Sequence, residues 1–224
     1  MVSVPLTTDN MIAEIDGPAG WVIFNNPARR NAISAAMWRA IPEIFDAFES
    51  EAAVRVIVLR GTGDKAFVSG LDISQFEDEF SSSQAAAGLQ DLSARANQRI
   101  QTSPKPTVAM INGFCIGAGM QIAASCDIRI AADTAVFAVT AAKLGLGYPV
   151  LGLKRLLDIV GPSHAKEIFF TARQFSAAEA ECMGFINRVV SAAGLEKHVR
   201  GTCEMIAASA PLAINAVKQA VAWI

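Results

Sequence analysis

The order of apolar and polar residues along the chain predicts a mixed α/β fold. Two continuous apolar runs, "VRVIVLRG" at 54–61 and "TVAMI" at 107–111, have the length and composition of strands buried on both faces. Residues 11–15 and 21–24 are also strand-like, and the turn sequence "DGPAG" between them predicts a hairpin. Each of the two buried runs leads into a glycine-bearing loop and then into a helical segment, which is typical of parallel sheets.

In much of the remaining chain, apolar residues recur at intervals that are typical of helices. Apolar residues recur every three or four positions after Ser34, which predicts a helix that Ser34 caps and that ends near Ser50. The pattern becomes helical again after Leu151, with breaks at glycine and proline residues. The remaining predicted elements are a helix at 83–102, short strands at 128–131, 136–138 and 187–190, and two final helices separated at Pro211. Because no linker or low-complexity tract interrupts this series, we expect one domain.

Composition and charge narrow the function classes. The 224 residues are 52% hydrophobic and carry a formal net charge of −2, so neither a nucleic acid nor a membrane is expected as a partner. The cysteines lack the spacing of a metal site, and we expect buried free thiols in a reducing cytosol and no bound metal. They are Cys115, Cys126, Cys182 and Cys203. The first ten residues show no secretory signal, and we expect a cytoplasmic protein.

The most informative segment is the glycine-rich corner that follows the run at 107–111. Gly113, Gly117 and Gly119 precede a helical run in which Gln121 is the first polar side chain. The spacing is neither that of a dinucleotide-binding loop nor that of a phosphate-binding P-loop. Two interpretations stay open at this point. The glycines let a backbone approach a ligand closely, or they merely permit tight packing between a strand and a helix.

Several segments resemble, in order and spacing, the motifs of the crotonase family, also called the enoyl-CoA hydratase/isomerase superfamily. They are "NNPARRNAIS" (25–34), "KAFVSGLDI" (65–73), "INGFCIGAGMQIAASCDIRIA" (111–131), "KLGLGYP" (143–149) and "FFTARQFSAAEAECMGFINRVV" (169–190). The resemblance implies an α/β fold, a crotonase-type spiral of ββα units over residues 1–193. A C-terminal helical region, 194–224, is shorter than is usual for the family. The resemblance also implies a homotrimer or a dimer of trimers, and the apolar residues of the last helices fit such an association.

Family members bind acyl-CoA thioesters and stabilise an enolate or oxyanion with two backbone N–H groups. The resemblance assigns these donors to Leu71 and Ala118. Coenzyme A is then part of the substrate, and no permanently bound cofactor is expected. Residues assigned to coenzyme A are Arg29, Arg30, Ser69, Gly70, Asp72, Ile73 and Gly117, and those assigned to the acyl pocket are Phe114, Thr140 and Tyr148. For the arginine pair a solvated turn is the alternative interpretation, and for Tyr148 simple packing. Asp72 has either a structural role or a place at the edge of the coenzyme pocket, and catalysis is its alternative.

The chain departs from the family pattern at both hydratase glutamates, whose positions hold Gln121 and Ala141. An amide forms hydrogen bonds but accepts no proton at neutral pH, and a methyl group does neither. Isomerisation, thioester hydrolysis, decarboxylation and hydration by another base stay open, with Glu77, Asp78 and Glu79 as a charge run near the first loop. The alternative from another class is a non-catalytic acyl-CoA-binding or regulatory protein with the same fold.

Overall fold

The computed structural model of the chain describes residues 2–72 and 83–223, and of residues 83–86 it describes the backbone only. Ile73, which the resemblance assigns to coenzyme A, lies outside the described residues, as do Glu77, Asp78 and Glu79.

The described residues form strands and helices in alternation. The strands are β1 (Val2–Ser3), β2 (Met11–Asp16), β3 (Ala19–Phe24), β4 (Val56–Gly61), β5 (Ala66–Val68), β6 (Thr107–Ile111), β7 (Phe114–Ile116), β8 (Ile128–Ala132), β9 (Val136–Ala138), β10 (Phe175–Ser176) and β11 (Arg188–Val190). The α-helices are α1 (Ala35–Ser50), α2 (Ser83–Thr102), α3 (Ala118–Ser125), α4 (Val150–Thr171), α5 (Ala177–Cys182), α6 (Leu195–Ala207) and α7 (Pro211–Trp223). Short 3-10 helices are Pro27–Arg29, Ala141–Leu144 and Ala192–Gly194.

The strands form two sheets, and successive strands along the chain add to both. The larger has the strand order β1-β2-β3-β4-β6-β8-β11, and the smaller has the order β10-β9-β7-β5. From β3 onward, neighbouring strands of the larger sheet are parallel. The pairs β4 and β5, β6 and β7, and β8 and β9 each add one strand to each sheet, and a helix follows the second and third pairs directly. This repetition is the predicted spiral of ββα units.

Apolar side chains cover both faces of the larger sheet. The main core lies between this sheet, the smaller sheet and helices α1 to α5, and its largest buried side chains include Trp38, Phe45 and Phe48 of α1. On the opposite face, Trp21 and neighbouring strand residues pack against one side of α6. Burial on both faces explains why the central strands are continuous apolar runs instead of alternating sequences.

Most predicted elements are confirmed to within two residues. The hairpin, the helix at 83–102 and the strands at 107–111 and 136–138 are present, and the Ser34 hydroxyl caps α1 by accepting a hydrogen bond from the Met37 N–H at 3.3 Å. Gly161 has φ 74° and interrupts α4 at one of the predicted breaks. Of the smaller sheet, only β9 was predicted, because most strands of two or three residues are too short to show a period.

The last helix is exposed along most of its length. On α7, the side chains of Leu212, Val217 and Val221 are 83%, 64% and 67% exposed. An apolar face on these helices is therefore present, as expected, while the trimer it was linked to stays a prediction. Within residues 2–72 and 83–223, no single helix has the length and hydropathy needed to cross a membrane. The segments 192–207 and 211–223 meet both criteria only when they are taken together, and their axes differ by 104°.

Candidate active site

Two glycines of the corner serve close packing. A Cβ atom on Gly113 would overlap the carbonyl oxygen of Lys65, and a Cβ atom on Gly119 would overlap the carbonyl oxygen of Val68. Both carbonyls flank or belong to β5, so any larger residue would push β7 and α3 away from β5. For these two positions, the packing interpretation of the glycines is confirmed.

Gly117 and Gly70 have a different role, because they bring two loops together. Gly117 has φ +54° and Gly70 has φ +124°, which are backbone conformations that other residues rarely adopt. A Cβ atom built on Gly117 would lie 4.0 Å from the Gly70 Cα atom. The residue after each glycine, Leu71 in one loop and Ala118 in the other, therefore lies at the same junction.

Among the described residues, neither the Leu71 N–H nor the Ala118 N–H has a hydrogen-bond acceptor at this junction. The Ile33 N–H donates to the Gly70 carbonyl at 2.9 Å, and the Asp72 N–H donates to the Ile33 carbonyl at 2.9 Å. These two hydrogen bonds involve the Gly70 carbonyl and the Asp72 N–H, and neither of them involves the Leu71 N–H. Ala118 is the first residue of α3, where an N–H has no partner within the helix. Over the described part of the chain, neither amide has an acceptor.

The electrostatics at the junction favour a negative charge. The amino-terminal end of a helix carries a partial positive charge, and the Ala118 N–H lies at that end of α3. A ligand oxygen placed between two such N–H groups would accept two hydrogen bonds that are already oriented. This arrangement can stabilise an oxyanion without any ionised side chain.

The loop that holds Arg29 and Arg30 is tied to the first of these loops. The Ser69 hydroxyl donates to the Arg29 carbonyl, and the Ser69 N–H donates to the Arg30 carbonyl, each at 3.2 Å. Arg29 also forms an ion pair with the buried Asp72 at 3.4 Å. Asp72 therefore has a contact of the kind that a structural role requires. Both arginines are exposed at the rim of the junction.

Asn31 organises this loop, and sequence reasoning missed it. It is buried, with φ 56°, and its side-chain amide donates to the Thr62 carbonyl at 3.0 Å and to the Ala66 carbonyl at 2.7 Å. Its side-chain oxygen accepts from the Asn26 N–H at 3.1 Å. Asparagine tolerates the left-handed conformation and provides both donors and an acceptor. The signal available in the sequence was the repeated asparagine of "NNPARRN".

Phe114 lies below Arg30. The Arg30 guanidinium stands 5.1 Å from the centre of the Phe114 ring, in a cation–π contact. Phe114 was assigned to the acyl pocket, whereas this contact associates its ring with the arginine assigned to coenzyme A. The acyl-pocket role of Phe114 stays a prediction.

Gln121, three residues after Ala118 in α3, is a neighbour of Tyr148. Burial raises the pKa of the Tyr148 phenol, and a hydrogen bond with the Gln121 side chain acts in the opposite direction but does not outweigh it. A Cβ atom on Gly152 of α4 would lie 3.0 Å from the Tyr148 ring and 3.8 Å from the Gln121 amide carbon. The Phe169 and Tyr148 rings also form a T-shaped contact, with a centroid distance of 4.6 Å. The two side chains are thus held between α3 and α4.

The segment at 140–144 provides no acid. Thr140 precedes the 3-10 helix Ala141–Leu144 without capping it through its side chain, and Ala141 packs on the main core. Both residues are half-buried. The structure therefore places a methyl group where the family resemblance would have the second glutamate.

The far end of α3 holds charges that are fully engaged in the fold. The buried Arg129 donates to the carbonyls of Phe185 at 2.6 Å and Cys126 at 2.7 Å. The Asp127 carboxylate accepts from the Thr107 N–H at 2.7 Å and forms an ion pair with Lys218 of α7 at 2.7 Å. Asp127 therefore has structural contacts. Arg129 was not singled out from the sequence, which gives no sign that this arginine is buried.

The cysteines correct one expectation. Cys115, Cys126 and Cys203 are buried free thiols, but Cys182 is exposed. Cys182 is the last residue of the short helix α5, where the chain turns toward β11 and leaves that side uncovered.

Known proteins with similar sequences belong to one family. The family model described as "Enoyl-CoA hydratase/isomerase" matches residues 17–223. The chain is 33% identical over 213 residues to the short-chain-enoyl-CoA hydratase of Clostridium acetobutylicum, covering 95% of this chain and 81% of that protein. It is 32% identical over 212 residues to the crotonyl-CoA hydratase of Syntrophomonas wolfei, with coverage of 95% and 81%.

Solved structures give the same result. A crystal structure of an enoyl-CoA hydratase/isomerase family protein from Hyphomonas neptunium has a TM-score of 0.93 at 37% identity, over 95% of this chain and 81% of that one. The enoyl-CoA hydratase from Bacillus anthracis has a TM-score of 0.91 at 28% identity, with coverage of 96% and 83%. The fold, the paired loops and these matches agree, and the chain belongs to the enoyl-CoA hydratase/isomerase, or crotonase, family.

Proposed function

We propose that this enzyme acts on acyl-CoA thioesters and stabilises the enolate or oxyanion of the thioester carbonyl between the N–H groups of Leu71 and Ala118. The observation that carries the proposal is a pair of amides without an acceptor among the described residues, on loops that Gly70 and Gly117 bring together. One oriented donor of this kind supplies about 2.7–4 kcal/mol to a transition state.

The rim of the site supports binding of coenzyme A. Arg29 and Arg30 are exposed cations beside the junction, and guanidinium groups bind phosphates through paired hydrogen bonds. Because Arg29 is paired with Asp72, Arg30 is the arginine that is more available to bind a phosphate. We expect acyl-CoA esters to bind with micromolar affinity, about −8 kcal/mol. Calorimetry with acetyl-CoA tests this, and the absence of binding to the assembled protein would reject the site.

Ala118→Pro tests the oxyanion role directly. Ala118 is the first residue of α3, a position where proline fits a helix, so the change removes the N–H with little effect on the helix. We expect turnover of the substrate to fall by about 10²–10³-fold. Ala35→Pro, at the first position of α1, is the matched control and should retain turnover. Full activity in Ala118→Pro would exclude this amide as a donor.

A second candidate function is a non-catalytic acyl-CoA-binding or regulatory protein. The replacement of both hydratase carboxylates by Gln121 and Ala141 favours it. Binding of acyl-CoA esters without turnover of any thioester in a broad panel would support this candidate over the enzyme.

A further inference from the structure

A cavity of about 1100 Å³ lies at the far end of α3, where α7 crosses the core. Its walls come from the last turn of α3 and from α4, α6 and α7. None of the described residues that were assigned to the thioester or to coenzyme A lines it. Sites for small molecules typically have volumes of about 300–1,000 Å³, so this cavity has room for a ligand.

Aliphatic side chains from three helices form much of the cavity wall. They are Leu151 and Ile159 of α4, Ile206 of α6, and Ile214, Val217 and Val221 of α7. Several of them are exposed, including Leu151, Val217 and Val221. An aliphatic ligand in the cavity would remove this apolar surface from water, which is favourable.

Polar contacts hold α7 in place as one wall of the cavity. The Lys218 ammonium forms the ion pair with Asp127 at 2.7 Å and donates to the Lys105 carbonyl at 3.2 Å. The Arg55 guanidinium donates to the Ser209 carbonyl at 2.8 Å, just before α7 begins. The wall is therefore fixed by charged groups, while its aliphatic side chains stay available for a ligand.

More cations than carboxylates line the cavity, and both carboxylates are already paired. The charged lining residues are Asp127, Arg129, Lys154, Arg155, Asp158 and Lys218. Asp127 pairs with Lys218, and Asp158 pairs with Lys154 at 2.6 Å. Arg129 donates to main-chain carbonyls at the end of α3. In the described structure, Arg155 is the lining cation that has neither a carboxylate nor a main-chain carbonyl as a partner.

The Arg155 guanidinium is half-buried and keeps donors for a ligand. Its Nε–H donates to the side-chain oxygen of Gln101 at 2.8 Å, and its two terminal amino groups have no acceptor in the described part of the chain. Burial lowers the pKa of Arg155, because its surroundings compensate the cation incompletely. The planar donors of a guanidinium match the two oxygens of a carboxylate.

We propose that this cavity binds an aliphatic monocarboxylate, such as a medium-chain fatty acid, with the carboxylate on Arg155 and the chain along α7. One negative charge matches the one unpaired cation. A phosphate monoester carries about −1.5 to −2 charges at neutral pH and would bring an excess of negative charge close to Asp127 and Asp158. This second site goes beyond the proposed function and does not depend on it.

Decanoate below its micellar concentration is the probe, and titration calorimetry with the whole chain measures its binding. We expect one decanoate to bind per chain. Arg155→Met retains much of the side-chain length but removes the guanidinium, and the affinity should fall about tenfold or more. Arg188→Met, an exposed arginine of β11 outside the cavity, is the matched control and should keep the wild-type affinity.

A second variant tests the apolar wall without relying on the folding of Arg155→Met. Val217 is exposed, so Val217→Asp should not disturb the fold, but it places a charge beside the aliphatic chain. We expect decanoate affinity to fall about tenfold or more. Ala213→Asp adds the same charge at an exposed position of α7 outside the cavity and should keep the wild-type affinity.

Two further probes separate the role of the charge from that of the chain. Decanol lacks the carboxylate and decyl phosphate carries more charge, and both should bind more weakly than decanoate. Equal affinity for decanol and decanoate, or for decanoate in Arg155→Met and the wild type, would overturn the role of Arg155. Tighter binding of decyl phosphate would overturn the choice of a monocarboxylate.

Acetyl-CoA distinguishes this cavity from the thioester site. Saturating acetyl-CoA should leave decanoate binding unchanged, and its displacement of decanoate from both the wild type and Val217→Asp would overturn the inference. Decanoate binding that follows the variants as described would support the inference even in a protein that binds no acetyl-CoA. Absence of decanoate binding would overturn it, and a smaller oligomer of Val217→Asp in light scattering would then identify a second copy of the chain as the occupant.

Discussion

The two ends of helix α3 are built in opposite ways. At its first residue, the Ala118 N–H has no acceptor in the described structure. At its last turn, the carbonyls of Ala123 and Cys126 accept hydrogen bonds from the buried Arg129. A helix needs partners at both ends. The end that the protein leaves open is the one at which we propose the thioester, and the end that it closes holds the fold together.

Removal of the closing arginine should have the largest effect on stability. Arg129→Met fills much of the same volume but leaves several buried carbonyls without donors, at about 1–3 kcal/mol each. We expect the free energy of unfolding to fall by about 3 kcal/mol or more in urea denaturation. Arg188→Met, an exposed arginine in β11, is the matched control and should change stability by less than about 0.5 kcal/mol. Equal effects of the two changes would contradict the structural role of Arg129.

A change at the open end should alter chemistry instead. Wild-type protein should hydrate crotonyl-CoA very slowly, and Gln121→Glu with Ala141→Glu should restore the two carboxylates of a hydratase. We expect the double variant to raise hydration at least about tenfold, since general acid–base catalysis contributes 10²–10⁴-fold when geometry is ideal. Each single change should do less, because the two acids act as a unit. The rate of crotonyl-CoA loss measures this, and fast hydration by the unchanged protein would refute it.

The closed end should also make stability depend on alkaline pH. Burial raises the pKa of Cys126, the capping residue of α3, from 9.0 to about 12. The unfolded thiol ionises first, so this contribution is complete below pH 9.0 and is lost as the pH rises toward 12. Over that range, this thiol should lower the free energy of unfolding by about 1.4 kcal/mol for each pH unit. Cys126→Ala should lack this part of the pH dependence. Denaturation at several pH values tests this, with the exposed Cys182→Ala as the control that keeps the wild-type slope.

The sequence was informative wherever a residue type had one structural purpose. The buried strands were visible as apolar runs, the Ser34 cap as a polar residue before a helical pattern, and Gly117 as a glycine at a corner. The resemblance added the paired loops, which no local pattern reveals. The absence of both hydratase carboxylates from this chain was visible in the residue types alone, at Gln121 and Ala141.

Other features depend on contacts between distant residues and could not be predicted. Arg129 meets Phe185 across 56 positions, and Asn31 meets Ala66 across 35. Arg155 could not be distinguished from an ordinary surface arginine until its burial and its neutral partner Gln101 were known. Hydrogen bonds of this kind follow from the assembled fold, whereas periodicity reports only on local structure.

The parallel spiral has a consequence for the order in which the protein folds. Each new strand of the larger sheet pairs with one that lies far back in the chain, as β6 does with β4 and β8 with β6. Non-local pairing of this kind slows folding, because the entropy of loop closure is lost before the stabilising contacts form. The junction of Gly70 with Gly117 forms only when successive turns of the spiral have docked. The recovery of acyl-CoA binding during refolding should therefore coincide with the slowest folding phase and not precede it.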